Sequence, residues 1–494
     1  MSNTQRNSDI SVVGAGLVGS LLSIYLSKHG FNIEMFERRP DMRKETLSAG
    51  RSINLAISTR GLRALREVGL EEETLKEAVP MRGRMIHSPA GELTFQRYGR
   101  DDSQYINSIS RGALNKMLMT KAEESKLVSI HFNERCEGMD FDSGTLRLQN
   151  EKDKKQSRLV SNIVIGTDGS ASAIRNDMQK LPGYQCREEL LDYGYKELLI
   201  TPDEKGGFKM EKNALHIWPR GTFMLIALPN FDGSFTCTLF LPFKGKLGFE
   251  SLITPETVTA FFNEHFSDAV PLLDDLTGTF FGNPTGHMVT VKSNPWNVSG
   301  SALLLGDAAH AIVPFFGQGA NAGFEDLTIL DRCMEKYTAS GGSLYLDRRA
   351  GRDAESHARR NSEGSSAWES IFDDFSSQRK IDTDAIADMA VENFIEMRDK
   401  VADPHFQLEK AVEKVLQKEF PTSYFSRYSL VTFSNVPYSF ALRAGAVNDE
   451  VLQELCRGID SAEQVDLEKA KKLLKSKVEP ILSEQKEELF VSSK

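Results

Sequence analysis

A chain of 494 residues, 40% hydrophobic and 26% charged, has room for two or three folding units and the balance of an ordinary globular protein. Its formal net charge of −10 argues against a general nucleic-acid binder. The five cysteines (Cys136, Cys186, Cys237, Cys333, Cys456) form no CxxC pair and the nine histidines no HExxH, so neither a disulfide framework nor a metal site is expected.

The polar opening MSNTQRNSD lacks the apolar core of a signal peptide, and no run of about 18 apolar residues occurs. The expectation is a cytoplasmic protein without a membrane anchor. Asp9–Val13 reads as a buried strand, Leu17–Lys28 as the helix after it, and Phe31–Phe36 as a second strand ending at Glu37. Within this βαβ opening lies Gly14-x-Gly16-x-x-Gly19. Gly14 allows the tight turn, Gly16 lets the backbone approach a pyrophosphate, and Gly19 lets helix and strand pack closely. Glu37, 18 residues beyond Gly19, can accept from ribose hydroxyls.

Strand-like runs follow at Arg84–His87 and Thr94–Tyr98, and a further strand ends in Asp168-Gly169. Ala214–Pro219, Thr222–Leu228 and Thr236–Leu241 are separated by Arg220-Gly221 and Asp232-Gly233, which predicts antiparallel hairpins. The most informative stretch is Leu303–Asp326. There a buried strand enters Gly306-Asp307, a loop carries Pro314 and Gly317-x-Gly319, and a helix begins near Asn321. An acid at a strand's C-terminal edge, followed by backbone N–H groups at a helix start, suits an electron-rich ligand. After residue 350 the pattern is helical, with Ile386, Met389, Asn393 and Met397 along one face. A buried amide such as that of Asn393 must be bonded, to neighbouring backbone or to a ligand.

The dinucleotide segments are thus interrupted by antiparallel ones. The expected fold is α/β: a Rossmann-type domain from 1–75, 105–180 and 290–350, interleaved with a mainly antiparallel sheet domain from 76–104 and 181–289, then a helical domain at 351–494. No second GxGxxG unit is present. One long dinucleotide touched by three separated regions is expected, and FAD suits that better than NAD.

Gly14–Gly19, Glu37, Asp168-Gly169 and Gly306-Asp307 resemble the three fingerprints of FAD-dependent aromatic hydroxylases of the para-hydroxybenzoate hydroxylase type. GRSINLAIS (Gly50–Ser58), PMRGRMIHS (Pro80–Ser88), LHIWPRGTFMLIALPN (Leu215–Asn230), FTCTLFLPF (Phe235–Phe243), LLGDAAHAIVPFFGQG and NFIEMR (Asn393–Arg398) look more closely like the kynurenine 3-monooxygenase family. The likeness runs from about residue 8 to 440, and the charged C-terminal stretch is similar to the soluble, bacterial-type members. Ala320 stands where members often carry Met.

The resemblance implies FAD as bound cofactor, NADPH as transient co-substrate, and hydroxylation of L-kynurenine by dioxygen through a flavin 4a-hydroperoxide, a step of tryptophan degradation. It implies Arg84 as the cation for the substrate carboxylate, since guanidinium pairs with carboxylate through two parallel hydrogen bonds. Tyr98 would share that carboxylate, and Asn393 and Tyr428 would close the site. Pro314, Phe315 and Gln318 would position the flavin loop. Besides the glycines, Glu37, Asp168, Gly306 and Asp307, it implies Val18, Arg38, Arg51, Ala56, Arg111, Cys136, Ala320 and Asn321 as cofactor contacts. His310 reads as structural. The alternatives are a related hydroxylase of a phenolic acid and a flavoprotein whose C-terminal helices bind a partner. Oligomeric state is left open by the sequence.

Overall fold

The computed structural model describes residues 9–44, 54–344, 354–396 and 403–489. Arg51 and Met397 lie outside these residues.

The run Ile10–Val13 is buried throughout and forms an inner strand of a six-stranded sheet. The order across this sheet is Asn297–Val298, Ala302–Leu304, Val164–Gly166, Ile10–Val13, Ile33–Glu37 and Val128–Phe132. All neighbours are parallel except the first pair. Strands covered on both faces read as near-continuous apolar runs, as the inner strands Val164–Gly166 and Ala302–Leu304 do. The helices Leu17–Lys28, Arg111–Glu124 and Gly319–Ala339 pack together beside the sheet. Register fixes the functional edge: Val13 pairs with Gly166, which pairs with Leu304. The turns at Gly14, Thr167–Gly169 and Gly306-Asp307 therefore meet at one C-terminal sheet edge, where ligands of open α/β sheets bind.

A seven-stranded sheet takes Gly286–Asn294, Gln185–Ile200, Phe235–Pro242, Met224–Pro229, Ala214–Pro219, Gly83–His87 and Leu93–Arg97 in that order. The hairpins expected across Arg220-Gly221 and Asp232-Gly233 are both formed. One pairing differs from that pattern: Gly83–His87 and Ala214–Pro219 run parallel. A long crossover through the other sheet separates them, which is what a parallel pair requires. Gly286–Asn294 also carries this sheet past residue 289, and residues 134–160 fold as a separate three-stranded meander.

One face of the seven-stranded sheet buries Trp218, Leu225 and Leu239 against Phe262 of the helix Pro255–His265. Alternation along a strand sends Arg84 and Ile86 to the opposite face, and His87 to this one, against Trp218. The C-terminal layer is helical, led by Ala354–Ile395, Pro404–Glu419, Arg427–Phe433 and Tyr438–Leu455. Among the described residues no helix is long and apolar enough to cross a membrane.

Candidate active site

A cavity of about 320 Å³ lies between the two sheets and the helical layer. At its edge the three glycines of Gly14-x-Gly16-x-x-Gly19 divide the work by geometry. A Cβ on Gly14, at φ +99°, would sit 2.7 Å from the Thr167 carbonyl oxygen; one on Gly19 would sit 2.0 Å from that of Gly14. A Cβ on Gly16 would meet nothing within 4 Å, because this residue faces the cavity. Gly16 ends at the helix Leu17–Lys28, whose first N–H groups have no side-chain cap. That is the setting in which a helix N-terminus takes an anionic group.

Val18, Ala56, Arg111, Asp307, Pro314 and Ala320 all line the same cavity. Asp307 is exposed to it and has no ion-pair partner among the described residues. This open backbone cradle and unpartnered acid suit the pyrophosphate and polar groups of FAD. Other expected contacts sit one step back. Glu37 accepts from Ala15 N–H at 3.0 Å and from Arg39 Nε at 2.7 Å. Burial opposes its charge, but the Arg39 guanidinium and these donors hold its carboxyl below the usual range. Asp168 caps the next helix through Ala173 N–H at 2.7 Å, while its Oδ1 is buried without a partner. Arg38 is exposed beside Glu37. Cys136 turns its thiol to the Gly138 carbonyl, and burial pushes its pKa up to about 12. Neither Arg38 nor Cys136 lines the cavity.

Pro314–Phe316 makes a short 3-10 turn, and Gly317 follows at φ +67°. Asn321, fully buried, fixes this loop: it accepts from Ser58 N–H at 2.9 Å and donates to Ala56 O and Gly317 O at 2.8 and 2.9 Å. Gln318 points away from the cavity, where its Oε1 accepts from Tyr438 O–H at 3.0 Å. It anchors the loop to the helical layer and does not face a ligand. Gly306 N–H and His310 Nε2 meet the same Asp326 oxygen at 2.9 and 2.6 Å, and Arg379 Nε donates to the other at 2.9 Å. His310 is thus tied to Asp326, a structural role.

At the cavity's other end the Arg84 guanidinium carbon lies 5.3 Å from the Tyr98 ring centre and 5.2 Å from that of Tyr428. The two rings stack at 5.5 Å and 15°. Tyr98 falls just after the strand Leu93–Arg97, and its N–H donates to Arg82 O at 3.1 Å. Burial pushes both phenols above their usual range, so each keeps its proton. Arg84 has no carboxylate partner among the described residues, and its Nε is buried without one. A cation so placed is costly unless a ligand completes it. Asn393 does not line the cavity; its Nδ2 donates to Phe315 O at 2.8 Å, and the neighbouring Phe394 stacks on Phe315 at 4.4 Å.

Between these ends the wall is apolar: Ile106, Leu215, Ile226, Leu228 and Phe240, with Thr238 and Tyr195 adding hydroxyls. Sequence reading missed these wall residues and the Asp326–Arg379–Glu325–Arg60 network behind the loop. Strand alternation could have found the former. The latter joins residues up to 265 positions apart and leaves no local signal.

The family model described as FAD binding domain matches residues 7–359. A kynurenine 3-monooxygenase of Myxococcus xanthus (strain DK1622) is 54% identical over 479 residues, 97% of each chain. One from Dictyostelium discoideum is 44% identical over 95% of this chain and 98% of its own length. Among solved structures, a tetrameric form of 2-methyl-3-hydroxypyridine-5-carboxylic acid oxygenase aligns with TM-score 0.60 at 19% identity, over 83% of this chain and 96% of that one. The p-nitrophenol 4-monooxygenase from Pseudomonas putida DLL-E4 gives 0.59 at 16% identity, over 91% and 98%. At such identities these two likenesses establish the fold alone. Fold, cofactor cradle and near full-length identity lead to one conclusion: the chain belongs to the kynurenine 3-monooxygenase family of FAD-dependent monooxygenases.

Proposed function

We propose that this protein hydroxylates L-kynurenine at ring carbon 3. It uses FAD, one NADPH, one proton and one dioxygen, and releases NADP and water. The observation that carries the reading is Arg84. A guanidinium hydrogen-bonded to two protonated tyrosines, with no carboxylate partner among the described residues, closes one end of an apolar cavity, and the cofactor cradle forms the other. Kynurenine has the matching polarity, a carboxylate head and an aromatic amine tail. The curated relatives named for this reaction support it, and the choice of NADPH rests on them.

Bound FAD supplies the redox chemistry, passing electrons from NADPH to dioxygen. The chain's own residues orient and exclude water. Arg84 and the Tyr98 and Tyr428 hydroxyls hold the carboxylate, which fixes the distance of the ring from the flavin loop. Leu215, Ile226 and Phe240 hold the ring plane. The substrate's own amine already enriches its ortho carbon with electrons, so no strong protein base is demanded. Alignment of this kind can contribute up to about 7–11 kcal/mol. Pro314 and Phe315 form the wall toward the flavin. Asn393, Gln318 and Asn321 are positioning residues that act through that loop.

NADPH oxidation by the flavin-loaded protein should rise strongly with L-kynurenine, with a product one oxygen atom heavier by mass spectrometry. Stimulation that yields only hydrogen peroxide would make kynurenine an effector and defeat the proposal.

A further inference from the structure

Beside the main cavity lies a second one of about 150 Å³, on the same face of the seven-stranded sheet. The two share Arg84, Ile217, Met224 and Phe240 as a common wall. Outward from that wall the second cavity is lined by Ile86, Pro219, Phe223 and Phe394, and it reaches solvent at Gln96, Gly221 and Thr222, all exposed. A cofactor seated over Gly16 and the Pro314–Ala320 loop fills the opposite end of the main cavity. An aromatic amino acid then needs a route that does not pass the flavin. We propose that the second cavity is that route, the passage by which the substrate reaches Arg84 and the hydroxylated product leaves.

The chemistry of the passage suits this cargo. Its body is apolar and aromatic, which suits a flat ring. Its inner end presents the one guanidinium that both cavities share. A carboxylate drawn inward meets Arg84 from the outer side before the ring crosses the wall, because the attraction of a poorly solvated cation extends beyond contact. Phe394 ties the passage to the reaction site. Its ring lines the second cavity while stacking on Phe315 of the flavin loop, and Asn393 beside it holds the Phe315 carbonyl. Occupancy of the passage is thus felt where the flavin ring is positioned.

The inference rests on the kynurenine reading, and its test separates the two. Thr222→Trp and Thr222→Phe narrow the mouth from an exposed position outside the cradle; Gln96 is left unaltered because it is the cross-strand partner of Arg84. L-Kynurenine binding to the FAD-loaded proteins is followed by stopped-flow flavin absorbance. An obstruction in a passage changes the barrier and not the bound state. Association and dissociation rates should therefore both fall about tenfold or more in at least one variant, with the dissociation constant unchanged within about twofold. Unaltered rates in both folded variants overturn the passage alone. Slower association with unchanged dissociation also overturns it, since the rim would then contribute to binding. Failure of the unaltered enzyme to bind L-kynurenine overturns the functional reading, and the passage with it.

Discussion

The Gly306–Asn321 segment has two faces, and they treat charge in opposite ways. Behind it, every charged group is answered: Asp326 by Gly306, His310 and Arg379, and Glu325 by Arg60 at 2.5 Å and Arg379 at 2.9 Å. Arg60 also lies 3.9 Å above the Tyr438 ring and donates to the Val431 and Val436 carbonyls. In front, exposed Asp307 and Arg84 line the cavity without an ion-pair partner among the described residues, and Arg84 is held only by the Tyr98 and Tyr428 hydroxyls. Burying a charge without a counter-charge costs several kcal/mol, so a fold keeps one such as Arg84 where a ligand will complete it. Ion-paired charges mark the scaffold here, and charges without an ion pair mark the site.

The largest effect should come from breaking the satisfied side. Arg379→Ala strips the guanidinium from Asp326 Oδ1 and from Glu325, leaving buried Asp326 to Gly306 N–H and His310 and Glu325 to Arg60, a loss of about 3–5 kcal/mol. A lower melting temperature and flavin loss on gel filtration should follow, in a residue that touches no ligand. Gly19→Ala comes next. Its Cβ would meet Gly14 O at 2.0 Å and Thr167 Oγ1 at 2.4 Å, so strand and helix must separate, at roughly 1–3 kcal/mol or more. Gly16→Ala sharpens the contrast. Its Cβ has no neighbour within 4 Å, so the apoprotein should melt as before, while FAD affinity in a fluorescence titration falls roughly tenfold, about 1.4 kcal/mol.

Smaller still is Asn393→Ala. Loss of one hydrogen bond to the Phe315 carbonyl is worth about 1 kcal/mol, so kcat should drop several-fold with flavin content unchanged. The last effect concerns pH. Burial opposes ionisation of Asp326, yet His310 and Arg379 hold its carboxyl below the usual range. A carboxylate whose folded pKa is depressed stabilises above its unfolded value, near 4, and loses that contribution as pH falls through the folded one. Asp326→Asn should therefore melt below wild type at pH 7, and the gap should close below about pH 4.

Much of the scaffold is readable from short-range pattern. The helix Leu17–Lys28 lies where its periodicity puts it, and the glycine roles follow from spacing, because each is set by neighbours within a turn. The hairpins after Arg220 and Asp232 were readable for the same reason. What escaped depends on distant partners. Nothing near Gly83–His87 signals a parallel partner over 120 residues on. Nothing in FFGQG says that Gln318 turns back toward Tyr438, 120 residues away. The positions of Arg84, Tyr98 and Tyr428 came from family likeness; their meeting at one point is a product of tertiary packing between sheet and helical layer.

The most direct measurement compares Arg84→Ala with wild type in two readings taken together, flavin content and the dissociation constant for L-kynurenine. Full flavin occupancy is expected, with affinity weakened roughly 100-fold, since a desolvated charge-assisted pair worth about 2–5 kcal/mol is lost. Loss of flavin with kynurenine affinity unchanged would contradict it, and would move the substrate's anchor away from Arg84.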